Sequence, residues 1–130
     1  MLDFGVEPSS GVAPYLQLVQ QVKQALRLGW LQPGDKLPTV HEVAASVAVN
    51  PNTVLKAYRE LEREGLAAGR PGQGTFIMAS LAQVTPTSYG QLSGRLARWI
   101  VAARAAGLDD DGIMDVVRAT MRAANAQKIA

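Results

Sequence analysis

The sequence contains no cysteine and a single histidine, His41. Without thiols there can be no disulfide and no thiolate metal site, a composition that suits the reducing cytoplasm. No Ser/His/Asp arrangement is recognisable around that single histidine. The phosphate-cradling G-x-x-x-x-G-K-[ST] is also missing, so neither enzyme activity nor a cofactor is expected. No apolar run approaches the roughly 20 residues that a membrane span needs. The first residues, Met1 to Pro8, lack the basic region and apolar core of a secretory signal. A large charge excess is missing too: 13 basic against 11 acidic side chains leave a net +2.

What is present is the make-up of an ordinary soluble domain, 130 residues with 48% hydrophobic and 18% charged. That length allows one compact domain and a small appendage. The small positive excess is unevenly distributed. Up to residue 78, Lys23, Arg27, Lys36, Lys56, Arg59, Arg63 and Arg70 are matched by as many acidic side chains. The excess lies in the remainder, where Arg95, Arg98, Arg104, Arg118, Arg122 and Lys128 face Asp109, Asp110, Asp111 and Asp115. An argument for a polyanionic partner must therefore rest on where charge is placed, not on how much there is.

Residues 1–13 read as an irregular lead-in broken by Gly5, Pro8 and Gly11. A first helix is predicted from Pro14 to Leu28, with Tyr15, Leu18, Val19, Val22, Ala25 and Leu26 on one face and Gly29 as its stop. Gln32-Pro33-Gly34-Asp35 is a turn, and Pro38 keeps Lys36-Leu37 extended. Thr39 and Glu42 make a capping box for a short second helix with Val40, Val43, Ala44 and Val47 facing inward. After the tight Ala48-Val49 link, Asn50 caps a third helix and Pro51 fills its first position. In that helix Val54, Ala57, Tyr58 and Leu61 form the buried stripe, and Asn52, Thr53, Lys56, Arg59 and Arg63 the polar face. Amides and hydroxyls in the first turn, followed by cations, suit base edges and phosphates. Two short helices joined in this way, the second with the polar face, are helix-turn-helix organisation.

Gly65 ends the third helix. Leu66-Ala67-Ala68 and Thr75-Phe76-Ile77-Met78 are strand candidates around the loop Gly69–Gly74, a hairpin in which Arg70 is the one cation. Residues 79–88 read as a linker. Leu92, Leu96, Trp99, Ile100 and Ala103 then mark an amphipathic helix ending at Gly107. Asp109, Asp110 and Asp111 cap and favourably charge the start of a last helix, and are read as a cap, not as a metal site. Its stripe is Ile113, Val116, Val117, Thr120, Met121 and Ala124. A hairpin of about 40 residues is near the size below which a unit rarely folds alone. Its stripes either fold back on the first domain or pack against a second copy, and the second is expected.

The stretches A-P-Y-L-Q-L, G-W-L-Q-P-G-D-K-L-P-T-V-H-E-V-A, V-N-P-N-T-V-L-K-A-Y-R-E-L-E-R-E-G-L and R-P-G-Q-G-T-F resemble, in unbroken order over residues 13–78, the winged helix-turn-helix domain of GntR-type bacterial transcription regulators. The short helical tail and the N-P-N-T-V…A-Y signature resemble the YtrA-type subfamily. The resemblance implies a mainly α fold with a small β-wing: a winged helix-turn-helix domain (1–78), a linker (79–88) and a helical dimerisation hairpin (89–130). It implies a cytoplasmic homodimer that binds a pseudo-palindromic operator, usually as a repressor, often of an operon encoding transporter components. The implied DNA contacts are Thr39 and His41 at the second helix, Asn50, Asn52, Thr53 and Lys56 in the third, and Arg70, Gly72, Gln73 and Gly74 in the wing. The expected dimer contacts are Leu92, Leu96, Trp99, Ile100, Ala103, Ile113, Val116, Val117 and Met121. Two positions depart from the family pattern. His41 stands where arginine is usual, replacing a permanent bidentate clamp by a side chain with an ordinary pKa near 6.5. Ala48 stands where glycine is usual; a positive φ there would cost roughly 1 kcal/mol.

On this reading the first two turns of the third helix lie in the major groove. Glu60, Glu62 and Glu64 keep its far end away from the phosphates. The competing reading is a winged-helix module that binds protein and has no affinity for DNA, which a salt titration against duplex DNA separates.

Overall fold

The computed structural model describes residues 3–129, excluding the Ile129 side chain, so the expected domain limits at residues 1 and 130 lie outside it. The chain divides between Pro86 and Thr87 into two compact units.

In the first unit, α1 (Pro14–Arg27), α2 (Val40–Val47) and α3 (Pro51–Arg63) are followed by the hairpin β1 (Ala67–Arg70) and β2 (Gly74–Ile77). Their apolar stripes converge. Leu18, Val22 and Leu26 of α1 meet Val43 of α2, Val54 and Leu61 of α3, and Ile77 of β2 in one closed core. Each such side chain contributes about 1.5–3 kcal/mol by leaving water. Tyr58 joins them, and its hydroxyl donates to the Pro38 carbonyl, tying α3 to the residue before the α2 cap. Burial, and secondarily the nearby Glu42 charge, push the Tyr58 phenol far above its ordinary range.

The helix ends follow local chemistry. Pro14 and Pro51 occupy first positions. Thr39 Oγ1 accepts the Glu42 N–H at 3.1 Å and donates to its carboxylate at 3.0 Å. Gly29 and Gly65 take the left-handed conformation (φ 76° at each) just beyond α1 and α3. Ala48 takes it as well, at φ 55°, and no other non-glycine residue among those described has positive φ.

Three features were not evident from the sequence pattern. The lead-in contains a 3₁₀ turn, Pro8–Ser10, and two glutamines of α1 hold it down. Buried Gln17 accepts from Glu7 N–H at 2.8 Å and donates to the Val12 carbonyl at 2.8 Å. Gln21 makes a two-way amide pair with Gly5, at 3.0 and 2.6 Å. Second, Lys36–Pro38 is more than an extended connector. Lys36 bridges antiparallel to Phe76, and Leu37 N–H donates to the Thr75 carbonyl at 2.9 Å, so it edges β2. Third, the strands reach further toward the tip than predicted. Arg70 pairs with Gly74, which leaves only Pro71-Gly72-Gln73 as the loop.

The stretch expected as a linker, residues 79–88, is not without structure. Ala79 and Leu81 pack against the first core, Gln83 N–H donates to the Arg27 carbonyl at 3.0 Å, and helix α4 already starts at Pro86. The second unit takes in α4 (Pro86–Ala105) from its second residue on, a turn at Gly107, and α5 (Asp110–Ile129). Asp109 caps α5 by accepting the Gly112 N–H at 2.8 Å, and Asp110 pairs with Arg104 at 3.1 Å. Among the described residues no cluster of three His, Asp or Glu could hold a metal ion. Among the described residues no helix is long and apolar enough to cross a membrane.

Candidate nucleic-acid interface

The start of α3 is fixed by its own cap. Asn50 Oδ1 accepts the Asn52 N–H at 2.8 Å, so this oxygen is engaged within the helix and only the amide NH2 remains to donate outward. Asn52 is exposed and Thr53 partly so. One turn on, Lys56 is exposed, with its ammonium 4.1 Å from the centroid of the Tyr15 ring of α1. That cation–π contact holds the charge at one place on the surface. On α2, the Thr39 hydroxyl is engaged by the cap, while His41 projects into solvent from the first turn.

In the wing, Arg70 stacks over the Phe76 ring at 4.4 Å. Gly72 (φ 73°) has open space where a Cβ would stand, so its backbone is bare. Gly74 differs. Its φ is 120°, and the space beside its Cα is filled: a Cβ there would come 2.8 Å from Lys36 Cε. The stem of Lys36 lies across this glycine. Lys36, Thr39, Arg70, Gly72, Gln73 and Gly74 thereby line one open groove, with the Glu42 carboxylate behind the Thr39 hydroxyl and the Glu62 carboxylate beside Gly69. The sequence reading passed over Lys36 as a site residue, because its partner strand is remote in the chain and no local periodicity links them.

Charge placement corrects one expectation. Three acidic residues were expected to hold the end of α3 away from a phosphate backbone, but two of them face cations. Glu60 pairs with Arg63, whose Nε donates at 2.9 Å, and Glu64 pairs with Lys23 at 2.6 Å. The Arg63 hydrogen bond holds the Glu60 carboxyl below its usual range, and Glu60 raises the Arg63 guanidinium in turn. Arg63 is therefore engaged with its own helix, although the polar-face reading grouped it with Lys56. Within the first unit, no described carboxylate pairs with Lys36, Lys56, Arg59 or Arg70. A unit of zero formal charge thus carries unneutralised cations on α3 and the wing.

The expected dimer contacts fall in the second unit as a graded stripe. Ala103 and Ile113 are buried, and Ile100, Val116 and Val117 half-buried. Leu92, Leu96 and Met121 are 56%, 51% and 60% exposed, and Trp99 is 38% exposed. Leu96 and Trp99 of α4 line an apolar groove with Val116, Val117, Thr120, Met121 and Ala124 of α5.

Three helices closed by a two-stranded hairpin, with caps and tight turn in this order, define a winged helix-turn-helix protein. Comparison with known proteins carries the assignment further. The gntR family of bacterial regulatory proteins matches residues 14–77. The chain is 38% identical over 105 residues to the HTH-type transcriptional repressor YtrA of Bacillus subtilis (strain 168), covering 80% of this chain and 81% of that protein. YtrA from Sulfolobus acidocaldarius, a GntR-family transcription factor of solved structure, matches with a TM-score of 0.53 at 28% identity, over 74% of this chain and 95% of that one. AraR(DBD), solved in complex with operator ORX1, matches with a TM-score of 0.52 at 27% identity, over 57% of this chain and 94% of that one. This chain belongs to the GntR family of transcriptional regulators, is of the YtrA type, and is not an enzyme.

Proposed function

We propose that this regulator is a cytoplasmic repressor that binds a pseudo-palindromic operator as a homodimer, with a transporter operon as the expected target. The observation that carries the reading is the sorting of charge. Lys23 and Arg63 are neutralised by carboxylates, whereas Lys56 and Arg70 are held over aromatic rings on the side that would meet DNA. Asn52 and Thr53 read base edges from the first turn of α3. Lys56, Arg70 and His41 hold phosphates, and Gly72 lets the wing backbone approach closely. Asn50 and Thr39 act mainly as caps that aim these groups, with Gln73 at the wing tip. The apolar groove of α4 and α5 supports pairing of two copies, since so small a hairpin leaves large apolar side chains in water. The likeness to a repressor of similar length, and to a domain solved on an operator, supports the same reading.

Selection of bound sequences from a random duplex pool tests it. Two inverted half-sites should emerge about one helical turn apart, or a multiple of it. Failure to enrich any sequence would remove the operator-binding reading, and a single asymmetric site would remove the dimer on DNA. In the selected duplex, Lys56→Ala should flatten the dependence of log affinity on log salt by about one unit per protomer, whatever the sequence.

A further inference from the structure

We propose that Lys36 is a DNA-binding residue: its ammonium holds a backbone phosphate in the groove between the wing and the start of α2. The proposal rests on the DNA-binding reading above and adds to it a site that neither the helix-turn-helix pattern nor the wing loop contains. Three observations meet at this residue. Its backbone is fixed by the bridge to Phe76, while Leu37 N–H to the Thr75 carbonyl at 2.9 Å holds the next residue, so Lys36 belongs to the wing sheet. Its stem crosses Gly74 in a space that a Cβ would close, with Cε 2.8 Å and Nζ 3.6 Å from the ideal Cβ position, so the ammonium is directed along the groove and not left to sweep through solvent. The groove that it enters has Thr39 and Arg70 on its walls, and neither nearby carboxylate, Glu42 behind Thr39 or Glu62 beside Gly69, pairs with Lys36.

The surrounding electrostatics select the ligand. Lys23 and Arg63 have acidic partners within hydrogen-bond distance. No described carboxylate pairs with Lys36, and Arg70 lines the same groove. Two cations without a carboxylate partner along a polar, open groove fit an extended polyanion, and a compact ammonium acts as a point charge on a phosphate. Gly74 then has a further role. It gives the wing a turn conformation, and it also leaves room for the lysine that the wing presents.

The test compares the full-length protein with Lys36→Gln and Lys36→Arg on two duplexes, one taken from the random-pool selection and one scrambled. Affinity is titrated from 50 to 200 mM salt. Lys36→Gln should lower the salt slope by about one unit per protomer, so that this fourfold rise in salt costs it roughly fourfold less affinity per protomer than the unsubstituted protein. The loss should be equal on both duplexes, and Lys36→Arg should restore the slope. Phosphate-ethylation interference should identify one phosphate per half-site whose modification weakens the unsubstituted protein and has no effect on Lys36→Gln. Matched thermal unfolding of the three proteins controls for folding. An unchanged slope and unchanged interference pattern in Lys36→Gln, with DNA binding intact, would overturn this assignment alone. Absence of salt-dependent duplex binding by the unsubstituted protein would overturn the DNA-binding reading and this assignment with it.

Discussion

The first unit buries most of its large apolar side chains, with Trp30 and Met78 the most exposed exceptions, whereas the second leaves Leu92, Leu96, Val101 and Met121 more than half exposed. The helices of both units carry apolar stripes, although those of α4 and α5 are less sharply segregated than those of α1 and α3, so a stripe alone does not secure burial. In the first unit three helices and a hairpin cross at angles that close a core around Leu61 and Val22, both fully inaccessible. Two helices joined by a short turn cannot enclose anything; they can only share a seam, and Ala103 and Ile113 are its buried residues. One unit is complete within a single chain, and the other has apolar surface to be covered.

The largest effect that would test this contrast is on the complete side. Leu61→Ala should destabilise the first unit by about 2–5 kcal/mol, the range for a fully buried leucine, as a shift in the urea midpoint. An effect as small as that of a surface substitution would mean that the core is not closed. On the other side, Leu96→Glu places a charge in the apolar groove of α4 and α5. It should convert the proposed dimer to monomer in sedimentation at micromolar concentration while leaving the unfolding of the first unit intact. A Leu96→Glu protein that sediments as the unsubstituted one does would remove the groove from the interface.

Smaller effects sharpen the picture of the first unit. Tyr58→Phe removes the hydroxyl that donates to the Pro38 carbonyl, for a loss of about 1 kcal/mol near neutral pH. Because burial raises the Tyr58 pKa in the folded state, its contribution is fully present below the unfolded value near 10 and is lost as pH rises further. The unsubstituted protein should therefore lose stability above pH 10 more steeply than Tyr58→Phe, which denaturation at pH 8 and pH 11 would measure. Smallest is Ala48→Gly. Relief of the left-handed strain, less the extra freedom of glycine in the unfolded chain, should stabilise by roughly 0.5 kcal/mol. A loss of stability instead would show that the Ala48 methyl contributes something that its backbone angles do not suggest.

Helix positions were legible in the sequence because their signals are local. Caps at Thr39 and Asn50, prolines at Pro14 and Pro51, and stops at Gly29 and Gly65 act within a turn or two, and each stripe repeats at helical spacing. What stayed hidden depends on residues distant in the chain. Gln17 looks like a solvated side chain, yet it is buried because the lead-in returns to satisfy its amide. The wing strands extend through Gly69, Arg70 and Gly74, whose weak strand propensity concealed them until cross-strand pairing decided the matter. The charges of Glu60, Glu62 and Glu64 were plain, but the partners Lys23 and Arg63 were not, and those partners cancel much of the repulsion expected there. Among the candidate contacts, Asn52 and Lys56 followed from the helical face, whereas the seating of Lys36 over Gly74 required the fold.

Lys36–Pro38 is a short extended piece that is fastened to two other elements. Leu37 is bonded to the wing, and the Pro38 carbonyl receives the hydroxyl of a residue in the middle of α3. Mechanically these three residues are a strut between α3 and the hairpin, so a tilt of either strains the bonds to the other. If both meet DNA as proposed, a duplex would have to suit the pair at once, and its shape would be checked by a single gauge, not by two independent probes.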